Sequence, residues 1–540
     1  MASAGDTVTT EVIIAGGGPV GLTLAHELGS RDVDCLVVEP RTQPDLASPR
    51  CKQINPKSME AYRRLGIAGA IRDHARLPFG WSDSAVFCTS LTGEGLVRFD
   101  GIFALSDVQR DDLAEPAQWC AQNRLEEALR ATLPQRASVS AWWGFAVTGV
   151  KQDVDGVTVT AVDGEGNERR VRGKHLVGAD GSRSVVRREL GIRLSGRSHE
   201  IRNLQTIFSA PGLGEAHPHG RAVQYWVVNS EVNGLMGRLD TEDTWWAIII
   251  GAAADPDTAS VRSAVHTMIG AEHPIRITGV DPWQARMLVA DRYREGRCFL
   301  AGDAAHQNPP WGGFGANTGI GDAVDLGWKL AAHLRGWAGP GLLGSYETER
   351  RPMAERAIAE AERNMRVLTG ELAHPALTRS DAEGAEARSK TADLIRQTKA
   401  AEMYTVGFVL GARYDDSPLI TGDDRPEPVA PPLEHRPSGK PGNRLPHLWL
   451  DRERSLYDVL GPGFTLLEVA APGAPDWEDA AASVGVPLAR YRLNRPDLRE
   501  RYGAAYLLVR PDRHIAWRGD TTPPDVAVIL DRARGVVPAR

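Results

Sequence analysis

The residues with the clearest capacity for chemistry are glycines and acids placed where apolar runs end. A β-branched run at 11–15 leads into Gly16-Gly17-Gly18-Pro19-Val20-Gly21, then a helical stretch at 22–28, then a second apolar run at 34–38 that ends in Glu39, 18 positions after Gly21. A strand, a GxGxxG turn, a helix and an acid-terminated strand in this order form a dinucleotide-binding fingerprint. Each position has a physical task. Gly16 permits the turn, Gly18 lets the backbone approach a pyrophosphate, Gly21 lets helix pack on strand, and Glu39 can accept from a ribose hydroxyl. A glutamate there disfavours a 2′-phosphate, so the pocket is expected to hold FAD or NAD(H). Two further acids stand beside glycines at strand ends, Asp180-Gly181 after the run 175–179 and Gly302-Asp303 after the run 298–301.

Gly302 opens a stretch rich in turn residues, Pro309-Pro310-Trp311-Gly312-Gly313-Phe314-Gly315-Ala316-Asn317-Thr318, which runs into an amphipathic helix. The helix is expected to begin at Asn317 or Thr318, either of which can cap, with Ile320, Ala323, Gly327, Leu330, Ala331 and Leu334 on one face. Backbone N–H groups at such an N-terminus favour negative charge. The glycines leave room for a flat group against the main chain, although a tight turn alone would also use them. Arg41 and Arg50 are candidates to neutralise phosphates, with a solvated surface role as the alternative. Tyr225 and His306 are candidates for a substrate base, against ordinary hydrogen-bonding roles.

The elements that must position these residues follow from periodicity. Alternating strands at 145–151 and 157–162 are separated by turn signals, and Gln122 opens a helical segment. Between about 196 and 290 the pattern changes to strands rich in tryptophan and tyrosine, at 224–228, 234–237 and 244–250, expected to form an antiparallel sheet between cofactor and core. Charged helical sequence occupies 342–367 and 385–401. Prolines 426, 428, 431, 432, 437 and 441 mark a linker, and a small α/β unit follows with a strand at 464–469, a helix near 477–484 and a strand pair at 506–510 and 514–518.

Composition narrows the class. A chain of 540 residues is long enough for about three domains. With 63 basic and 70 acidic residues, a net charge of −7 gives no basic excess for a nucleic-acid partner. No apolar run approaches the roughly 18 residues that span a bilayer, and the N-terminus lacks a basic leader with an apolar core. Five cysteines at 35, 51, 88, 120 and 298 lack metal-type spacing, so reduced thiols, a cytoplasmic location and no metal are expected.

Taken together, the fingerprint ending in Glu39, the Asp180-Gly181 element and Gly302-Asp303 with its Pro/Gly loop resemble, in their order and across nearly the whole chain, the single-component FAD-dependent aromatic hydroxylases of the p-hydroxybenzoate hydroxylase fold. Within that family the chain is similar to phenol-hydroxylase-type members with a C-terminal thioredoxin-like domain, including bacterial hydroxylases of aromatic polyketides. The resemblance implies an α/β fold: a Rossmann-like FAD-binding domain (1–75, 116–195 and 291–370), an inserted antiparallel β-sheet substrate domain (76–115 and 196–290), a helical segment and linker (371–430) and a thioredoxin-like C-terminal domain (431–540). It implies that Gly16, Gly18, Pro19, Val20, Gly21 and Glu39 hold the ADP half of FAD, with Arg41, Arg50, Gln122 and Val147 along its length. Gly302 and Asp303 would meet the ribityl–pyrophosphate region. Pro310, Gly312, Gly313, Gly315, Ala316, Asn317 and Thr318 would line the isoalloxazine, the Pro310 carbonyl bordering the edge where oxygen adds. Asp180 matches an element tied to FAD and nicotinamide. The implied reaction takes NADPH or NADH, O2 and an aromatic small molecule, and hydroxylates it through a flavin C4a-hydroperoxide. Baeyer–Villiger or decarboxylative oxygenation on the same scaffold, a non-enzymatic ligand- or partner-binding role, and a homodimer all remain alternatives. The C-terminal unit has no cysteine and cannot perform dithiol chemistry, so packing or oligomer contact is its expected role.

Overall fold

A computed structural model of the chain describes residues 7–45, 50, 52–253, 255–366, 372–422 and 433–536. Cys51 and the linker prolines at 426, 428, 431 and 432 lie outside the described residues. The β-branched run forms β1 (Val8–Ala15), whose last four residues are fully buried. Pro19 opens α1 (Pro19–Gly29), and β2 (Cys35–Glu39) follows. β1 pairs in parallel with β2 and with the strand Glu168–Gly178, which pairs in parallel with Cys298–Leu300. The register sets Ala15 beside Val38 and Gly178, and Gly178 beside Leu300. Gly16, Glu39, Asp180 and Asp303 therefore emerge along one edge of the sheet, at the carboxyl ends where open α/β sheets bind ligands.

A second sheet of eight strands runs in the spatial order His306–Gln307, Arg276–Ala290, Leu194–Ser209, Thr244–Ile250, Asn233–Arg238, Gln224–Val227, Ala85–Cys88 and Gly95–Phe99. The three aromatic strands expected from sequence sit inside it. Its pairings are antiparallel except that Gln224–Val227 runs parallel to Ala85–Cys88. Successive side chains alternate between its faces. Trp245 and Tyr225 join an apolar cluster under the helix Thr258–Ile269, while Trp246 and Trp226 join the cluster on the other face.

Four helices frame the rest: α2 (Pro56–Arg64), α3 (Phe314–Leu334), α4 (Ser345–Arg366) and α5 (Ala382–Met403). α3 begins a turn earlier than the sequence suggests. Gly313, with φ +67°, occupies the N-cap and makes no side-chain cap, because its left-handed backbone already turns the chain into the helix. Asn317 is one turn inside and spends its amide elsewhere: Oδ1 accepts from Asn55 N (2.9 Å) and Ser58 Oγ (2.8 Å), and Nδ2 donates to the carbonyls of Gln53 (3.0 Å) and Gly313 (2.8 Å). Gly327 gives α1 its seat, since a Cβ there would lie 2.6 Å from the Glu27 Cβ.

The C-terminal unit has a four-stranded sheet in the order Leu488–Leu493, Phe464–Val469, Tyr506–Val509 and Ile515–Gly519, with only the first pair parallel, and helices Asp476–Ser483 and Val526–Ala533. This is the thioredoxin-like arrangement. It docks through a buried ion-pair network: Arg510 bonds Glu349 (2.6 Å) and Asp512 (2.7 Å), and Lys329 bonds Asp325 (2.7 Å) and Glu349 (2.5 Å). Asp325, Glu349 and Asp512 converge closely enough for a cation, and the Lys329 and Arg510 side chains already meet their charge.

Candidate functional site

The strand ends of the first sheet and one face of the second enclose a cavity of about 870 Å3. Gly16, Gly18, Pro19, Val20, Glu39, Arg41, Arg50, Gln122, Val147, Asp180, Asp303, Pro310, Gly312, Gly313, Gly315 and Ala316 all line it. Gly21, Gly302, Asn317 and Thr318 do not line it; Asn317 and Thr318, expected against the flavin ring, face a smaller cavity instead.

The glycines separate into two functions. A Cβ on Gly16, whose φ is +106°, would lie 2.3 Å from the Ala179 carbonyl oxygen, and one on Gly21 would lie 1.9 Å from the Gly16 oxygen, so both are demanded by close packing. At Gly18 the nearest atom to such a Cβ is Glu126 Oε1 at 3.9 Å. Its bare backbone therefore faces space rather than protein, as a phosphate cradle requires. Gly315 is similar, with its nearest neighbour, the Asn308 Cβ, at 3.8 Å.

Glu39 closes the fingerprint. Its Oε2 accepts from Gly17 N at 2.7 Å, and its Oε1 accepts from Arg41 N (3.0 Å) and Nε (2.7 Å), which fixes a carboxylate that retains acceptor capacity for a hydroxyl. Arg41 also approaches Glu126 at 3.4 Å, Arg50 pairs with Asp281 at 3.3 Å, and Gln122 donates to Glu126 at 3.0 Å. Burial pushes the Glu126 carboxyl up in pKa, against the Gln122 hydrogen bond and the charge of Arg41.

The two other acids differ. Asp180 turns its carboxylate back onto its own chain, accepting from Ser184 Oγ (2.5 Å), Val185 N (2.7 Å) and Val186 N (3.1 Å), so it shapes the loop after the strand. Asp303 makes no hydrogen bond among the described residues. It is exposed on the cavity wall, and desolvation within the cavity raises its pKa although His306 and Arg50 act the other way. An unengaged acid on a cavity wall suits a polyhydroxyl chain. Behind it, Asp322 fastens the loop to α3, accepting from Gly302 N (3.1 Å), His306 Nε2 (2.7 Å) and Arg350 Nε (2.8 Å). Burial alone would lower His306, but the Asp322 carboxylate outweighs it and its pKa ends above the usual value. His306 is thus a buried positioning group rather than a cavity base.

Pro310 faces the cavity as expected, and its carbonyl accepts from Gly313 N at 3.1 Å, closing the turn. Gly312 and Gly313 hold positive φ values of +88° and +67°. Gly313, Gly315 and Ala316, at the start of α3, line this end of the cavity, and the partial positive charge of a helix N-terminus stabilises an anionic group. Open glycine faces at 18 and 315, an unengaged Asp303 and a helix N-terminus on one cavity together fit FAD.

Tyr225 does not join them. Its neighbours Gln224 and Trp226 line the cavity, but the strand period turns Tyr225 to the opposite face. There its hydroxyl donates to Gly220 O at 2.6 Å and accepts from Ala222 N at 3.0 Å, and burial pushes its pKa up to about 12.

The far end of the cavity is built from the tryptophan-rich sheet expected from sequence and from residues the sequence did not single out. Trp119, Trp226, Trp246, Trp283 and Trp311 form an aromatic wall. Lys52, 7% exposed, holds its ammonium 4.4 Å from the centre of the Trp246 ring and donates to Gln205 Oε1 at 2.9 Å. Glu402, from the end of α5, is 2% exposed and accepts from Lys399 Nζ at 2.8 Å. Burial raises its carboxyl, opposed by Lys399 and by the Gly312 backbone. Position within a strand could have flagged Trp226 and Trp246, which share the face of Gln224 and Ile248. Lys52 and Glu402 carry no local signal.

Comparison with known proteins agrees with this geometry. Residues 9–361 match the FAD binding domain family and residues 438–535 match the family described as aromatic-ring hydroxylase, C-terminal. The chain is 33% identical to tetracenomycin B2 monooxygenase-dioxygenase of Streptomyces olivaceus, covering 99% of this chain and 100% of that one. It is 34% identical to aklavinone 12-hydroxylase RdmE of Streptomyces purpurascens, covering 96% and 97%. Among solved structures it is similar to the rebeccamycin biosynthetic enzyme RebC with reduced flavin, at a TM-score of 0.91 and 34% identity over 99% of this chain and 100% of that one.

Proposed function

Because the chain belongs to the FAD-binding aromatic-ring hydroxylases, we propose that it is an FAD- and NAD(P)H-dependent monooxygenase that hydroxylates a phenolic or heteroaromatic intermediate of polyketide type. One observation carries the reading: a single cavity has a glycine-built nucleotide end and a tryptophan-walled end, joined at Pro310 to Ala316. When bound, FAD supplies electron uptake from NAD(P)H and activation of O2. The protein's own contribution is placement and exclusion. Gly18 and Glu39 bind the adenosine side, Asp303 takes hydroxyls at the middle, and the N-terminus of α3 offsets negative charge at the ring. The tryptophan wall keeps water from the reacting edge and offers flat surfaces to a planar substrate. Lys52, held between Trp246 and Gln205, is placed to attract an oxygen anion on that substrate.

The substrate class is supported by the tetracenomycin and aklavinone named for two relatives. Cytoplasmic action is part of the same proposal: Cys35, Cys88, Cys120 and Cys298 are all buried, and among the described residues no helix is long and apolar enough to cross a membrane. The expected assembly is a monomer or a homodimer, which light scattering on the holoenzyme separates. The test is purified protein with a panel of phenols and polycyclic hydroxyaromatics under NADH or NADPH. The expected result is bound FAD, phenol-stimulated oxidation of the nicotinamide and a product one oxygen heavier, labelled from 18O2. Protein that neither retains nor rebinds FAD, or whose NAD(P)H oxidation ignores every member of the panel, would overturn it.

A further inference from the structure

A second, smaller cavity of about 100 Å3 lies on the other side of α3, where α2, α3, α4 and the turn at 511–514 of the C-terminal unit meet. The reaction proposed above makes no use of it. Its walls carry six basic side chains, Lys57, Arg64, Arg350, Arg356, Arg444 and Arg513, against three acids, Glu60, Asp325 and Asp512. Tracing each charge to its partner leaves an excess. Arg350 is met by Asp322 at 2.8 Å and Arg64 by Glu27. Arg444 and Arg513 share Glu60, the latter at 3.7 Å. Asp325 and Asp512 are already taken by Lys329 and Arg510, both at 2.7 Å.

Two cations therefore reach the cavity with no carboxylate at ion-pair distance among the described residues, although Asp512 and Glu60 act on Lys57, and Glu360 and Asp415 on Arg356, from further away. Lys57 makes no hydrogen bond or ion pair among the described residues. Arg356 forms no ion pair among them either; it donates to the Gly411 carbonyl at 3.2 Å and lies 4.5 Å from the Phe408 ring centre. His514 lines the same space, 1% exposed, stacked on Tyr414 at 4.1 Å, and its Nε2 is buried without a hydrogen-bond partner. Burial and the charges of Arg350 and Arg444, only partly offset by Asp512 and Glu60, hold Lys57 down at about 7. Cations withdrawn from water are stable when paired, and unpaired ones either lose their proton or recruit an anion.

We propose that this cavity is a binding site for a small inorganic oxyanion of phosphate size, held by Lys57 and Arg356. The space is sufficient, because a buried water needs only about 10–15 Å3 on the same measure. Its position gives the binding a consequence. The anion would bridge the flavin-side helices and the turn at Asp512 to His514, so that occupancy and docking of the C-terminal unit strengthen one another.

The test is thermal unfolding of the FAD-loaded enzyme titrated with inorganic phosphate at constant ionic strength, with chloride as the balancing anion. Phosphate is expected to raise the Tm saturably where chloride does not. Lys57→Met should weaken the apparent Kd roughly 10–100-fold, the loss of one charge-assisted hydrogen bond, and Arg356→Gln should weaken it too, while Lys57→Arg retains the response. Selenate soaked into crystals should give an anomalous peak within hydrogen-bond distance of Lys57 Nζ. Equal responses to phosphate and chloride, a response unchanged in both neutral variants, or selenate bound elsewhere would overturn the site. A Lys57→Met enzyme that is simply more stable and insensitive to phosphate, beside a wild type that is also insensitive, would assign the cavity to water.

Discussion

At the nucleotide end of the main cavity the wall is backbone, and at the aromatic end it is side chain. Gly16 and Gly21 are fixed by packing distances that admit no Cβ, whereas a Cβ on Gly18 would meet only open cavity. At the other end the surface is made of tryptophans, a lysine and a glutamate contributed by strands and helices far apart in sequence. The difference teaches which part can vary. A backbone cradle reads the common features of a cofactor and tolerates almost no substitution, whereas a side-chain wall can be rebuilt for another aromatic substrate without disturbing the fold.

Substitutions can break that contrast in turn. The largest effect is expected where the two ends are tied to one frame: Asp322→Ala would strand Arg350 and His306 in the interior and release Gly302 N–H, costing about 3–5 kcal/mol in chemical denaturation and emptying the FAD site. The same pair sets a pH dependence. His306 has a raised pKa when folded, so its stabilisation is complete below about pH 6.5, the ordinary histidine value, and declines as pH rises through the folded value. His306→Asn should remove that part of the stability profile, and a profile unchanged by the substitution would contradict the assignment.

Next comes the fingerprint. Gly16→Ala forces a Cβ to 2.3 Å from a carbonyl oxygen at positive φ and is expected to cost roughly 2–4 kcal/mol in thermal or denaturant unfolding. Gly18→Ala should leave the fold intact and weaken FAD about tenfold or more, read by flavin fluorescence, since the added methyl enters ligand space. If both variants behaved alike, the division between packing and binding glycines would fail.

The aromatic end should respond in the opposite sense. Lys52→Met is expected to keep full FAD content and raise the KM for a phenolic substrate roughly tenfold, as a charge-assisted contact is lost. Smallest of all, Tyr225→Phe should leave kcat within about twofold and cost about 1 kcal/mol of stability, because its hydroxyl serves only Gly220 and Ala222. A large loss of turnover in that variant would return Tyr225 to the site.

The nucleotide end was legible because its information is local. Strand, glycines, helix and acid occur within a few dozen residues, and their spacing alone dictates the backbone geometry. Much of the second sheet was not. Leu194–Ser209 and Arg276–Ala290 bury only part of their length and carry polar residues elsewhere, so their hydrophobic alternation is weak. The helix start at Phe314 was missed because Asn317 is a good capping residue, and nothing local reveals that its amide is engaged by the segment at 53–58. The substrate face was the least legible part. One position separates Tyr225 from Trp226, and only the register of the assembled sheet decides which of them reaches the cavity.

The most direct test of the central claim is a crystal structure of the FAD-loaded enzyme with a bound polycyclic phenol. The adenosine ribose is expected at Glu39, the pyrophosphate over Gly18, the ring against the Pro310 to Ala316 loop, and the phenol between that ring and Trp226 and Trp246 near Lys52. A flavin bound away from the Pro310 loop, or a phenol bound outside the tryptophan wall, would contradict it.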